Sequence, residues 1–546
     1  MNGFKILRVL IHSFLVITML LSALAMTACS ASNIEINNGI VKTEAGLLQG
    51  SVSNEVHTFF GVPYAEAHQR FVPAKKVKHW DGVRTATEYG SISLQSSIGG
   101  FPVPVGSQAN NSQNLNIWTP GIDNQKRAVM VWLHGGGFSN GSAQEVPAYN
   151  GENLSKKGNV VVVSVNHRLN VMGHLDLSAY SDKYRYSANI GMLDIVEALQ
   201  WIHDNIAMFG GDPNNVTVFG ESGGGAKVLA LMTTPYAKGL FHKGIVQSGA
   251  TESMGVQFTT LAASRRLGKL TLKNLNITKN NIDAIESVSY EKLVEATQQA
   301  KIKTAEEFGL LGALSGLTNM DWEPVVDGDF LPTNPVTSDS FASAGKDIPL
   351  LIGSNLNEWT SMHLVMGPGD GKAVSEAKIN QRLQEAYGDN MSQVVAEFNK
   401  AYPLKTPSDV LYFDTFIRLP MLKIMSHKAD QNGAPVYGYV FSFGSPLAIH
   451  TAEIPLVFNN PDKESPIALG TEKTQDDIQA NAQMADIMSS AWISFAKTGT
   501  PAAPSLPAWE PYNRNNGATM ILDLNSTLVY RHDWQLIKQL APQYQW

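Results

Sequence analysis

Four short apolar runs set the frame of this chain: Ala128-Val129-Met130-Val131-Trp132-Leu133, Val160 to Val165, Val216-Thr217-Val218-Phe219 and Gly244-Ile245-Val246-Gln247. Little polar alternation interrupts them, so both faces of each run need an apolar surrounding, which is the condition of a strand inside a parallel sheet. Parallel neighbours require crossovers, usually helical. One lies between the second and third runs, where Ile195, Val196, Leu199, Ile202 and Ile206 recur at three- and four-residue steps after Asp194. Further strands are expected at Leu350-Leu351-Ile352, Val436 to Phe441 and Met520-Ile521-Leu522. The pattern predicts an α/β architecture: a large, mostly parallel sheet flanked by helices.

Two segments interrupt the alternation, near residues 255–318 and 373–430. Both are rich in Lys, Glu, Gln and Ala with helical periodicity, and read as helical insertions able to roof a pocket. At 546 residues and 43% hydrophobic the chain can bury a large core. Length alone suggests three or four units, but one sheet with insertions accounts for residues 39–546 as a single catalytic domain. Lys+Arg 41 against Asp+Glu 48, with no basic run, argues against nucleic acid as a partner.

The first residues have a different character. Lys5 and Arg8 precede an apolar stretch from Val9 to Met26, the pattern of an export signal over residues 1–28. Its removal takes the formal charge from −7 to −9. Cys29 is the only cysteine, which excludes a disulfide within one chain. Small residues before a lone Cys resemble a bacterial lipobox, with Met26 where Leu is usual; Cys29 would then carry lipid, residues 29–38 would form a polar tether, and the protein would be held at a membrane facing the periplasm or the exterior. Cleavage at an Ala-x-Ala site such as Ala23-Leu24-Ala25, giving a soluble secreted protein with Cys29 incidental, is the competing reading. An uncleaved anchor is a third.

Chemistry concentrates in two glycine-rich segments, each directly after an expected strand. Gly220-Glu221-Ser222-Gly223-Gly224 follows Val216 to Phe219 and precedes the helix former Ala226-Lys227-Val228-Leu229-Ala230-Leu231-Met232. This is the G-x-S-x-G nucleophile elbow in its required context, a tight turn that raises Ser222 above the sheet. With 46 glycines in the chain, an ordinary loop is the plain alternative. His134-Gly135-Gly136-Gly137-Phe138 follows Leu133. Neither phosphate-binding glycine pattern can be laid over it, whereas bare N–H groups of Gly136 and Gly137, with that of Gly223, suit an oxyanion hole.

The order of these motifs resembles the type-B carboxylesterase family of α/β-hydrolases. The resemblance runs from Phe60-Gly61-Val62-Pro63-Tyr64-Ala65 through Asn116-Ile117-Trp118-Thr119-Pro120 and Phe209-Gly210-Gly211-Asp212-Pro213 to Phe495-Ala496-Lys497-Thr498-Gly499. It implies the α/β-hydrolase fold and a Ser, Glu, His triad acting on small-molecule carboxylic esters without metal or cofactor. Within Gly353-Ser354-Asn355-Leu356-Asn357-Glu358 it marks Glu358 as the orienting acid, and within the segment Gly444 to Pro455 it marks His450 as the base. Chain order Ser222, Glu358, His450 is that of the fold. His134 is expected to fix the glycine loop, and Glu221 and Asp194 to be buried structural acids. Gly223 stands where the family usually has Ala, His167 where it has an aromatic, Ile195 where a polar residue is common, and Ser93 and Ser112 where many members have cysteines. A non-catalytic envelope protein of the same fold and a solute-binding lipoprotein are the rival functions, and the oligomeric state is left open.

Overall fold

The computed structural model describes residues 39–97, 103–310, 321–361, 376–467 and 474–546. The expected signal, Cys29 and the tether lie outside them, as do parts of both insertions. Eleven strands form one sheet: β1 (Ser51–Ser53), β2 (Val56–Pro63), β3 (Asn114–Thr119), β4 (Arg127–Leu133), β5 (Val161–Val165), β6 (Gly211–Glu221), β7 (Lys243–Gln247), β8 (Leu350–Asn355), β9 (Val436–Phe441), β10 (Ala518–Leu522) and β11 (Thr527–Tyr530). Their order across the sheet is β11-β10-β9-β8-β7-β6-β4-β5-β3-β2-β1.

From β5 to β10 every pairing is parallel. At both margins the sheet turns antiparallel, through β1, β2 and β3 on one side and β11 on the other. The sheet is therefore mixed, with the expected parallel centre. Buried strands such as β4 and β5, every residue of which is shielded, explain the continuous apolar runs.

Helix α1 (Ile190–Asn205) buries Ile195, Leu199 and Ile202 completely, so the apolar stripe faces the core. Asp194 on this helix is also buried. It accepts hydrogen bonds from Arg168 Nε at 2.8 Å and Nη2 at 2.6 Å and from Gln113 Nε2 at 3.0 Å, which makes it the satisfied structural acid expected. Helix α2 (Gly223–Leu231) follows β6. The first insertion contributes α3 (Leu261–Asn274) and α4 (Tyr290–Phe308), and the second α5 (Glu376–Tyr387), α6 (Met391–Ala401) and α7 (Arg418–Asp430). Helix α8 (Gln475–Thr498) sends Trp492 Nε1 to Gln247 Oε1 at 2.9 Å, tying the C-terminal part of the chain to the end of β7. No helix of the described residues is long and apolar enough to cross a membrane.

Candidate active site

Strand β6 ends at Glu221 and α2 begins at Gly223. The single residue between them, Ser222, has φ 54° and ψ −125°, a backbone conformation that a side-chain-bearing residue rarely adopts. The turn survives because neighbouring chains pass where side chains would be: a Cβ on Gly224 would lie 2.0 Å from the carbonyl oxygen of Leu133 at the end of β4. Ser222 is half-buried, and the orphan N–H groups that open α2 lie beside it.

Glu358 and His450 come from the loops after β8 and β9, which are neighbours in the sheet. Glu358 Oε2 and His450 Nδ1 are 2.6 Å apart, and both side chains are almost wholly buried. The two loops are joined by their backbones as well. The N–H of His450 donates to the carbonyl of Glu358 at 3.1 Å, and Asn355 Nδ2 donates to the carbonyl of Ile449 at 2.6 Å. Glu358 Oε1 accepts the N–H of Asn355 at 2.7 Å, so both carboxyl oxygens are held. Trp359 lies over the imidazole with ring centroids 4.3 Å apart, an aromatic wall that sequence reasoning passed over.

Nε2 of His450 has no hydrogen-bond partner among the described residues; its near neighbour is Glu221 Oε1 at 3.2 Å. Glu221 is buried as expected, and its Oε1 faces the imidazole without a hydrogen-bond partner among the described residues. Burial, with Glu453 and Glu358 close by, holds the Glu221 carboxyl well above the usual carboxylate range. Glu453 is a further buried acid behind the histidine loop, bonded to Asn355 Nδ2 at 2.7 Å and Gln247 Nε2 at 2.9 Å. Its position three residues after His450 was visible in the sequence, but nothing there distinguished it from other acids.

The glycine loop after β4 turns at Gly136 (φ 75°) and Gly137 (φ 60°). His134 Nδ1 bonds the carbonyl of Gly135 at 2.9 Å, and its ring stacks on His167 at 5.0 Å. His134 thus holds the loop, with His167 serving as the flat surface beneath it. Burial drives both imidazoles well below their ordinary pKa, so they are uncharged. Among the described residues the backbone N–H groups of Gly136 and Gly137 donate to no protein acceptor. Lys227 on α2 is completely buried beneath this loop. One cation within Gly225-Ala226-Lys227-Val228-Leu229-Ala230-Leu231 was the available signal, which helix periodicity alone assigned to no role.

An α/β sheet with a serine elbow at its centre and a buried His–Glu pair on adjoining loops defines the serine-hydrolase class of α/β-hydrolases. Comparison with known proteins is consistent throughout. The carboxylesterase family model matches residues 37–538. The para-nitrobenzyl esterase of Bacillus subtilis is 33% identical over 92% of this chain and 98% of its own length. The phenmedipham hydrolase of Pseudarthrobacter oxydans is 30% identical over 89% and 95%, respectively. Among solved structures, an esterase from Clostridium hathewayi described as hydrolysing aliphatic aromatic polyesters aligns with TM-score 0.81 and 34% identity, covering 92% of this chain and 98% of that one. The chain belongs to the carboxylesterase family and is a carboxylic ester hydrolase; the non-catalytic alternative is not favoured.

Proposed function

We propose that Ser222 is the nucleophile, His450 its general base and Glu358 the acid that orients the imidazole. The observation that carries this reading is the 2.6 Å contact between His450 Nδ1 and Glu358 Oε2, which leaves Nε2 as the bare nitrogen. Ser222 Oγ bonds to the ester carbonyl carbon while its proton passes to Nε2. Negative charge gathers on the former carbonyl oxygen, and the N–H groups of Gly136, Gly137 and Gly223 receive it; each such donor is worth about 2.7–4 kcal/mol in the transition state. The C–O bond of the ester then breaks, and the alcohol leaves with the proton from His450. Water, deprotonated by His450, attacks the acyl-serine; the acyl C–Oγ bond breaks, the acid leaves, and His450 returns the proton to Ser222 Oγ. The names of the relatives point to esters with an aromatic portion. Labelling with a fluorophosphonate probe, with the modified peptide mapped, tests the nucleophile; a label that does not fall on Ser222 removes it.

Acidity of the base follows from its burial. Burial draws the His450 imidazole down to about 4 and pushes the Glu358 carboxyl up to about 8. The two titrate as one pair. Between about 4 and about 8 the pair holds two protons; above about 8 it holds one, with Glu358 ionised and the proton on Nδ1, which is the form with a bare Nε2. Nε2 becomes a base only when the second leaves, so kcat/KM is expected to rise with pH along a limb above the ordinary imidazole value near 6.5. A limb at or below 6.5 in a kcat/KM profile of p-nitrophenyl butyrate hydrolysis would contradict this.

Placement is proposed separately: export through the segment before Cys29, with lipid on Cys29 holding the enzyme body at a membrane surface. Supporting it are the Lys5/Arg8 start, the apolar run to Met26 and the confinement of cysteine to this position. Stable attachment takes more than one acyl chain. Cys29→Ala is expected to abolish palmitate incorporation and block normal maturation. A soluble, lipid-free mature protein beginning after Ala25 or Ala28 would show instead that Cys29 is incidental.

A further inference from the structure

Lys227 is a lysine with no exposed surface, one turn into α2. Burying an ammonium requires that its donors be used. Two N–H groups are engaged by backbone: Nζ donates to the carbonyl of His134 and to the carbonyl of Gly137, each at 2.9 Å. The remaining direction meets the face of Phe138, with Nζ 5.4 Å from the ring centroid. Burial draws the amine down to about 7, while Glu145 and Glu221 push the other way. Charged or neutral, it keeps two N–H donors for two carbonyls.

The loop itself shows what these bonds do. All four carbonyls from His134 to Gly137 are held within the protein. Lys227 takes the first and the last, His134 Nδ1 takes that of Gly135, and the N–H groups of Ser139 and Asn140 take that of Gly136 at 3.2 and 3.0 Å. In a trans peptide the N–H points opposite to the preceding carbonyl. With the carbonyls of Gly135 and Gly136 fixed, the N–H groups of Gly136 and Gly137 are fixed also, and neither is used inside the described protein. The Gly137 carbonyl reaches Lys227 across the space beside Gly223, where a Cβ would lie 2.2 Å from that oxygen. The absence of a side chain at residue 223 and the presence of a lysine at residue 227 are therefore two halves of one arrangement.

We propose that Lys227 is a positioning residue for the oxyanion loop: it anchors the carbonyls at the two ends of the loop, and between those anchors the inner peptides, held by His134 Nδ1 and by the N–H groups of Ser139 and Asn140, present the Gly136 and Gly137 N–H groups to the tetrahedral intermediate, with Gly223 required to make room for the anchored Gly137 carbonyl. This rests on Ser222 being the nucleophile. Lys227 acts through the loop and touches no reacting atom. Releasing the loop should weaken binding of the transition state and leave that of the ground state nearly unchanged.

Lys227→Met keeps the length and apolar stem without donors, and Lys227→Gln keeps a donor without charge. With p-nitrophenyl butyrate, Lys227→Met is expected to lower kcat about 100-fold, the scale of one lost oxyanion donor, with KM within about threefold of wild type. Affinity for a trifluoromethyl ketone, which forms the tetrahedral adduct, should fall in proportion, and Lys227→Gln should recover part of both. Gly223→Ala should be damaging in the wild-type background and less so beside Lys227→Met, because the Gly137 peptide that its Cβ would meet, at Cα, carbonyl carbon and oxygen, is then free to shift. Unchanged kcat in Lys227→Met, or equal effects on kcat and KM, would overturn the proposal. If Lys227→Met does not fold, Gly223→Ala alone decides: wild-type kcat in that variant shows that the carbonyl is not pinned. Failure of wild-type Ser222 to take a fluorophosphonate speaks against the nucleophile, whereas a labelled wild type with indifferent Lys227 variants speaks against Lys227 alone.

Discussion

Replacing Ser222 by alanine is expected to lower kcat for p-nitrophenyl ester hydrolysis by a factor on the order of 10⁵ or more while leaving the protein folded. Both halves follow from the elbow. The serine contributes one hydroxyl at a half-buried turn and little packing, so alanine removes the attacking atom and opens no large cavity. The strain at φ 54° is borne by the backbone and remains in the variant. What survives is whatever the loop N–H groups and substrate binding provide without a nucleophile, which in comparable triads is small but measurable. A melting temperature within a few degrees of wild type, together with loss of fluorophosphonate labelling, would separate lost chemistry from lost structure. Retention of more than a few per cent of activity would remove Ser222 as the nucleophile.

The second large effect belongs to the His450–Glu358 pair. His450→Ala should reduce kcat about as far as Ser222→Ala, because members of a triad act as a unit, and the double variant should be little worse than either single one. Glu358→Gln should cost less, on the order of 10⁴. The amide preserves shape, and the backbone bond from His450 to the Glu358 carbonyl is untouched, so the ring stays in place. The variant loses the negative partner at 2.6 Å and with it the preference for a bare Nε2. Steady-state kinetics of the three variants at one pH check this ranking. If Glu358→Gln matched wild type, another carboxyl would have to orient the imidazole; Glu221, 3.2 Å from Nε2, lies on the wrong nitrogen for that task.

Legibility in the sequence followed burial. Strands β4 to β10 could be read because a strand covered on both faces is written in continuous apolar residues. The antiparallel margin was recognised as family landmarks and not as strands, and β3 shows why. Its sequence Asn-Leu-Asn-Ile-Trp-Thr places amides in the core, a pattern that looks like surface until the partners are known. Asn116 Oδ1 accepts the N–H of Gly61 from β2 at 3.0 Å, and its Nδ2 donates to Ser164 Oγ on β5 at 3.1 Å, which makes the burial tolerable. Ser222, Glu358 and His450 were legible from motif and order. Glu221 beside the imidazole, Trp359 over it and Lys227 beneath the glycine loop were not, because each owes its place to contacts between segments far apart in the chain.

The backbone and side-chain bonds between the loops of Glu358 and His450 also bear on how the protein reaches its working state. Ser222 and the glycine loop are complete once β4, β6 and α2 have come together, but the acid and base need β8 and β9 paired and Asn355 bonded to Ile449. Those strands are separated by the whole second insertion, so their pairing carries a loop-closure cost and belongs to the slow, non-local part of folding. Regained activity is thus a late signal in refolding, behind recovery of helix content and burial of the central sheet.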